Sequence, residues 1–581
     1  MKWLVLVIAG WVCFACGGAG GGDLGKPVAL FPSKADLSGL AAGTAPSAKG
    51  APGMTDVDHW QTQAPDLQQA QYPQETPWDK LALGTAQAHG ASTSLSTALR
   101  CAAQEAARFY TLNQGMPDDG VREHLLLRCG STLVGHAFGY VSNDVPDNVP
   151  TAQVEAAARP AIEKLLTQAL QSSGTLVGLG VARNGGHFVA VVISGAPRAE
   201  LHDFAPVVTG DRVTLSGTLR GSAEYLFALA NQGPYGVARC ENDATQRLPA
   251  FRLTCPLAAG DPATRIEIAT KQAGRVLLEA VAQVEVRRDE HANPQYEAAA
   301  YGTNQTVASS AQFRAALFAD LNRVRAAAGL RPFALESTQS TTDERLAPYL
   351  FQTLRSGDNQ QMSTIALGLL AGWDVKGLIR DGGIFCRWVN TSRNPSRWLT
   401  QALDTPLGRW VLLEPGMSRI GIGASELQPS GEMAVVTTYA FFESANHQGD
   451  EETVLAELDR QRQAHGVAPA HRVTSDSALQ KALRHVQDNT ASSMGALNDV
   501  VQQASFTLQK DVGGYVVETS DVKLMKFDPM LLTASTLDLE LGVTHYRAPG
   551  AAWGQYVVLF VVVGHGAPTR EAKRGGVTQH F

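Results

Sequence analysis

From residue 313 to 328 the apolar positions Phe313, Leu317, Leu321, Val324 and Ala328 recur every three or four residues, which predicts one apolar stripe on a helix. Arg314, Asp320, Arg323 and Arg325 fall mostly off that stripe, and the alanines between them favour helix. Gly329 suits the left-handed conformation that ends a helix, and Pro332 keeps the helix from resuming. The stretch 321–332, LNRVRAAAGLRP, returns without gaps at 458–469 as LDRQRQAHGVAP, with Leu, both Arg, one Ala, Gly and Pro identical. A shared helix stop in an ungapped repeat predicts a duplicated unit.

Similar patterns extend toward the start. Leu99, Ala102, Ala106, Phe109 and Tyr110 form a helical stripe that stops by Gly115 and Pro117; residues 121–129 read as a second helix, and 162–166 open a third. Residues 177–194, VGLGVARNGGHFVAVVIS, read as a β-hairpin turning at Gly185-Gly186. Residues 419–441 and 540–562 follow the same plan: a glycine-containing strand, a turn and a β-branched strand. Between the first hairpin and the helix at 313, short strand-like runs at 207–208, 213–215, 228–229, 266–269 and 280–286 predict a small all-β sandwich. Its last run, VLLEAVAQVEVRR, stays open to strand or helix.

Asn322, Arg325, Gly329, Leu330 and Pro332, in the order Asn-x-x-Arg-x-x-x-Gly-Leu-x-Pro, resemble the first helix of the bacterial form of the CAP superfamily (cysteine-rich secretory proteins, antigen 5 and pathogenesis-related 1). Gly178-Leu179-Gly180 and Gly421-Ile422-Gly423 are similar to the family's closing strand, and Gly542-Val543-Thr544 is similar in part. The resemblance implies an α+β, multi-domain chain. Its CAP-like α-β-α sandwiches fall at 85–197, 305–445 and 447–565, with the one small all-β domain, 198–290, between the first and second. Residues 17–84, rich in Gly, Ala, Pro, Ser and Gln, read as a flexible linker, and 566–581 as a disordered tail.

A length of 581 residues exceeds a single core, and 44% hydrophobic with 18% charged residues is the composition of a soluble globular protein. A net charge of −7 offers no basic surface, so nucleic acid is not an expected partner. Lys2 and the apolar run 3–14 read as an export signal occupying residues 1–16. Ala15 before Cys16 resembles a bacterial lipobox, although Phe14 departs from its pattern; ordinary secretory cleavage nearby is the alternative. The lipobox implies acyl chains on Cys16, anchoring to a membrane, and an exported protein of the bacterial outer membrane or cell surface. In an oxidising compartment Cys101 with Cys129, and Cys240 with Cys255, are candidate disulfides, which leaves Cys386 alone.

Many CAP domains hold a divalent metal between two histidines and two acidic residues. In 398–415 Thr405, Pro406 and Arg409 keep the family's frame, but Gly408 stands at the histidine position; residues 305–445 contain no histidine, and Gly382-Gly383-Ile384 replaces a Gly-Glu pair. No catalytic residue, metal or cofactor is therefore expected there. Elsewhere His89, His124, His136, His187, His447, His465, His471, His485, His545 and His565 fall outside the family's pattern and read as surface or satisfied side chains. No nucleophile-elbow, zincin, phosphate-loop or dinucleotide motif is present.

The expectation is a lipid-anchored envelope protein, not an enzyme, whose CAP-like modules bind lipid, glycan or protein and gain avidity by repetition. The alternatives are a hydrolase using the cleft carboxylates Asp343, Glu344 and Asp404, or a purely structural envelope scaffold. A candidate cleft of Trp373, Trp388, Trp398 and Asp404, with Trp410 nearby, discriminates among them. The same tryptophans make an ordinary core equally well, and the usual burial of Trp favours that reading.

Overall fold

The computed structural model describes residues 4–10, 54–55, 57–62, 76–88, 93–173, 176–202, 205–271, 278–288, 295–298, 301–356, 361–362, 365–366, 369, 378–389, 393–427, 432–443, 447–473, 477–519, 522, 525, 527–546, 555–564 and 573–574. They divide into two compact bodies: the first holds the described residues up to Tyr439 apart from 378–382, and the second holds 378–382 and the chain from Ala440 onward.

The first body opens with β1 (Leu4–Gly10), β2 (Met54–Thr55), β3 (His59–Gln61) and α1 (Pro77–Ala88). There follow β4 (Ser94–Leu95), α2 (Thr97–Asn113), β5 (Met116–Pro117), α3 (Asp119–Arg128), β6 (His136–Asp144), α4 (Thr151–Ser173), β7 (Leu176–Asn184) and β8 (His187–Gly195). Ser96 caps α2 by accepting from the Leu99 amide, and Asp118 caps α3 by accepting from Val121. The sheet runs β1-β6-β8-β7-β4, antiparallel except for the short β4–β7 pair. Val189, Val191 and Ile193 of β8 join the α2 and α3 core, whereas Phe188, Ala190 and Val192 join the α1 and α4 core. Burial on both faces is why that strand is apolar throughout rather than alternating.

The β-sandwich follows as β9 (Ala199–His202), β10 (Arg212–Leu219), β11 (Tyr225–Gln232), β12 (Gly236–Arg239), β13 (Glu241–Asn242), β14 (Ala250–Pro256), β15 (Ala263–Lys271) and β16 (Leu278–Arg287). Its sheets are β13-β14-β10-β9 and β12-β11-β15-β16. Val213, Leu215 and Leu219 of β10 enter the core, with Thr214, Ser216 and Thr218 on the other side, the period of two expected of a half-buried strand. The run left open between strand and helix is β16, paired along its length with β15. A short strand, β17 (Gln295–Glu297), then pairs with β3.

The second unit comprises α5 (Ser310–Ala327), β18 (Ala334–Leu335), α6 (Ser337–Ser356), β19 (Leu378–Val389), α7 (Pro395–Asp404), α8 (Pro406–Leu412), β20 (Arg419–Leu427) and β21 (Glu432–Glu443). The second body comprises α9 (His447–Ala464), β22 (His471–Arg472), α10 (Ser477–Gln487), α11 (Ser493–Leu508), β23 (Val512–Thr519), α12 (Pro529–Thr533), β24 (Asp538–Tyr546), β25 (Gln555–Val563) and β26 (Lys573–Arg574). The sheet orders are β18-β20-β21-β19 and β22-β24-β25-β23-β26. All three units thus share one plan: a two-residue strand parallel to the first strand of a closing hairpin, the hairpin itself, and a strand drawn from between the helices.

The repeated residues hold that plan together. Asn322 both accepts from the Phe333 amide (2.7 Å) and donates to the Phe333 carbonyl (3.2 Å), and Asp459 accepts from the Ala470 amide (2.8 Å) at the corresponding place. Gly329 and Gly466 both take φ of 72°, a conformation other residues rarely adopt. Arg325, read off the apolar stripe, is fully buried instead, and so is Arg462; each guanidinium gathers carbonyls of the turn behind its helix and of the loop before the hairpin. In the first two units the paired glycines bring helix and strand backbones together. A Cβ at Gly178 or Gly180 would overlap the backbone of α2, and one at Gly423 the backbone of α6. At Gly542 the neighbours are only the side chains of Leu479 and Leu483.

Three other readings change. The linker expected over 17–84 contains ordered structure: β2, β3 and the first two turns of α1 lie within it, where Trp60, Leu81 and Ala82 bury apolar surface in the first unit. The helix expected to open at Ile162 begins at Thr151 and runs through Pro160. Within the expected disordered tail, Lys573 and Arg574 pair parallel with Tyr515 and Val516. Leu4–Gly10, part of the apolar run read as the core of an export signal, form strand β1 on the edge of β6 in the uncut chain, which bears neither way on that reading; Cys13 and Cys16 lie outside the described residues.

Candidate functional site

The segment in which the resemblance would place cleft chemistry is α7 and α8. Asn394 caps α7 by accepting from Ser396 and Arg397, and Pro395 opens it. Thr405 ends α7 and caps α8, its hydroxyl accepting from the Gly408 amide at 3.1 Å. Within α7, Trp398, Leu399, Ala402 and Leu403 are wholly buried, Trp398 lying edge-on to Phe385 with ring centroids 5.9 Å apart. Trp398 is therefore core and not a cleft wall. Trp373 and the side chain of Trp388 lie outside the described residues.

The face of α8 away from its own unit meets the β-sandwich. The Leu407 amide donates to Oε2 of the buried Glu267 (2.9 Å), which also places a carboxylate at a helix N-terminus. Arg409 donates to the carbonyls of Leu403 (2.6 Å), Gly233 (2.6 Å) and Gly236 (3.3 Å). Trp410 lies against Phe227 with centroids 5.5 Å apart, and Leu407 packs with Val134, Phe227, Leu229 and Ala269. Gly408 sits inside this junction, and a Cβ there would overlap the Ala402 carbonyl oxygen and crowd the Thr405 hydroxyl. The position has no room for any side chain. The same face of the β12-β11-β15-β16 sheet also reaches the first unit, where Arg265 pairs with Glu123 (2.8 Å) and the Gln283 amide donates to the Thr132 carbonyl (3.1 Å).

The three carboxylates of the hydrolase alternative have separate surroundings. Asp343 lies on α6 inside the unit, hydrogen-bonded to Gln339 (2.7 Å) and Thr438 (2.6 Å). Glu344 pairs with Arg314 of α5 at 2.9 Å. Asp404, at the end of α7, accepts through its backbone carbonyl from Asn231 of the sandwich (3.0 Å), and its charge acts on Arg409 and Tyr301.

Burial pushes the Asp343 carboxyl well above the usual carboxylate range, opposed in part by its hydrogen bonds from Thr438 and Gln339. The folded chain therefore keeps a proton that the unfolded chain gives up near pH 4, and stability from this site falls as pH rises from there toward the folded value. Asp343→Asn keeps both partners without that proton. Urea unfolding at pH 4 and pH 8 is expected to show the variant gaining on the wild type as pH rises. A difference independent of pH would contradict this.

Five of the described histidines have their surroundings in the fold itself. His187 Nδ1 is 2.8 Å from Asp144, and its other ring nitrogen is 3.2 Å from the Gln114 amide. Burial, aided by Arg122, holds His136 down to about 4, so it is neutral at physiological pH. His471 is 3.1 Å from Asp538, His485 is 2.8 Å from Thr490, and His124 lies against Tyr296. His89 and His565 lie outside the described residues, as does the side chain of His447. Among the described residues no group of three or more His, Cys, Asp or Glu is placed to hold a metal ion, and no helix is long and apolar enough to cross a membrane. Cys101–Cys129 joins α2 to the end of α3, Cys240–Cys255 lies in the sandwich core, and Cys386 is a buried free thiol.

Residues that pattern reading passed over include Glu267, Arg397 and Trp60. Their only sequence signal is a charge inside an otherwise apolar strand or helix, or a lone aromatic in a polar stretch.

No protein-family model matches the chain, and no curated protein matches it. Among solved structures it is weakly similar to a cysteine-rich secretory protein of Staphylococcus aureus, at 8% identity and a TM-score of 0.17 over 42% of this chain and 88% of that one. It is as weakly similar to an extracellular protein of Bacillus anthracis containing an SCP domain, at 10% identity and a TM-score of 0.17 over 42% and 86%.

Proposed function

We propose that this chain is a non-catalytic protein of the bacterial cell envelope, held at a membrane by lipid on Cys16, whose repeated units bind an envelope lipid, glycan or protein. The observation that carries the non-catalytic reading is the junction at α8. The residues that would line a reactive cleft in the second unit are engaged by Glu267, Phe227 and the Gly233 and Gly236 carbonyls, around a glycine that admits no side chain. The separate environments of Asp343, Glu344 and Asp404 support the same reading, since paired carboxylate chemistry needs both groups at one reacting bond. Three units of one topology support binding through many weak contacts.

Co-sedimentation of the purified chain with phospholipid vesicles, peptidoglycan sacculi and immobilised envelope proteins tests this. Binding to one of the three is expected, unchanged by EDTA and by Asp404→Asn. Ester, glycoside or peptide hydrolysis that Asp343→Asn or Asp404→Asn abolishes would overturn the proposal, as would binding lost with EDTA.

A further inference from the structure

Residues 57–62 are held in the way proteins hold a bound peptide. β3 pairs antiparallel with β17 in the register Gln61↔Gln295, Trp60↔Tyr296, His59↔Glu297, and the Ala298 amide donates to the Asp58 carbonyl at 2.9 Å. Trp60 and Tyr296, side by side in that register, both enter the core of the first unit. The Trp60 ring lies 4.6 Å from that of Phe109, with the Arg108 guanidinium 4.4 Å above it, and Arg108 donates to the Gln61 carbonyl. The Asp58 carboxylate pairs with Arg397, a buried side chain of α7 in the second unit. Arg397 Nη1 has no hydrogen-bond partner among the described residues, so the arginine is half used.

Strand pairing, an aromatic anchor and a carboxylate on a buried arginine are three general means of recognising an extended peptide. The occupant here is a short strap. The 13 residues 63–75 that join it to α1 span up to about 43 Å when extended. The groove is complementary to Asp58-x-Trp60, and every copy of the chain carries that sequence.

We propose that β17, the Arg108–Phe109 face of α2 and Arg397 of α7 form a peptide-binding groove, filled in cis by the chain's own strap and in exchange by the strap of a second copy. Exchange of this kind links two chains with no contact beyond those already present within one. The proposal uses neither the lipid on Cys16 nor the absence of catalysis, so its failure leaves the functional reading above untouched.

The test uses the full-length chain in detergent. Asp58→Asn/Trp60→Ala weakens the chain's own strap, and the probe is a fluorescein-labelled synthetic peptide of residues 54–62. The peptide is expected to bind the double variant saturably and at least about tenfold more tightly than it binds the wild type, whose groove is filled. Adding Arg397→Met should weaken that binding by a further tenfold or more. If the double variant does not fold, Asp58→Asn alone, which leaves Trp60 in the core, serves for the same comparison with wild type. Two differently tagged wild-type preparations, mixed and held below the unfolding temperature, are expected to co-purify, and tagged pairs of the variant are not. Absence of peptide binding by a folded variant would overturn the proposal, as would equal binding to the wild type. Wild-type chains that never co-purify would overturn exchange with a second copy.

Discussion

Arg325→Ala lowers the stability of the first body by about 3–5 kcal/mol, and Arg462→Ala does the same to the second body. Arg325 is wholly buried and donates to the carbonyls of Arg331 (2.8 Å), Leu412 (2.9 Å), Glu414 (3.2 Å) and Met417 (3.1 Å), with its guanidinium 3.9 Å over the Phe333 ring. Burial lowers its pKa to about 10, against a smaller opposing effect of Glu414, so the group remains charged at neutral pH. Alanine there strands these carbonyls away from water and unties the loop before β20 from the end of α5. Arg462 holds the carbonyls of Ala468 (2.8 Å), Leu531 and Ala534 (2.9 Å), so its loss has the same form. Urea unfolding followed by hydrogen exchange separates the two bodies. Each variant is expected to destabilise peptides of its own body and leave the other unchanged; a loss under about 1 kcal/mol would mean that the carbonyls find water.

Gly408→His, which writes the resemblance's histidine back into the chain, is the second large effect. It is expected to cost more than about 4 kcal/mol and to prevent the second unit from docking on the β-sandwich. The histidine Cβ would collide with the Ala402 carbonyl, a backbone atom fixed by the α7 turn, and with the Thr405 hydroxyl that caps α8. Neither can move without breaking a cap. Circular dichroism with thermal melting measures the loss, and isothermal titration with zinc is expected to show no saturable binding by the variant. A folded Gly408→His chain that binds zinc would mean that a closed cleft had merely lost its ligand.

What could be read from the sequence was local. The helix stop at Gly329 and Pro332, its copy at Gly466 and Pro469, and the glycine strands at 178–180 and 421–423 each declare themselves within a few residues, so the units and their hairpins were visible. Arg325 was read as lying off the apolar stripe because periodicity reports which face is buried and not which turn carbonyls need a donor. The strap was missed because the composition of 17–84 is that of a linker, and its order comes from Trp60 and Asp58 meeting partners far along the chain. Gly408 was legible as a missing histidine; only the Ala402 carbonyl shows why nothing larger fits. Of the proposed cleft, Trp398 went to the core because α7 is enclosed on all sides, a tertiary fact that a helical pattern does not contain. Strands β12, β13 and β14 were passed over as well, being short or strongly polar on one face.

On these contacts α8 acts as a structural junction with the β-sandwich and not as the wall of a site. Hydrogen–deuterium exchange across residues 405–412, in the wild type and in Phe227→Ala, tests it most directly. These amides are expected to exchange as slowly as those of β20 in the wild type, and markedly faster once Phe227 no longer supports Trp410 and Leu407. Fast exchange in the wild type, unchanged by Phe227→Ala, would contradict it and return the segment to an open cleft.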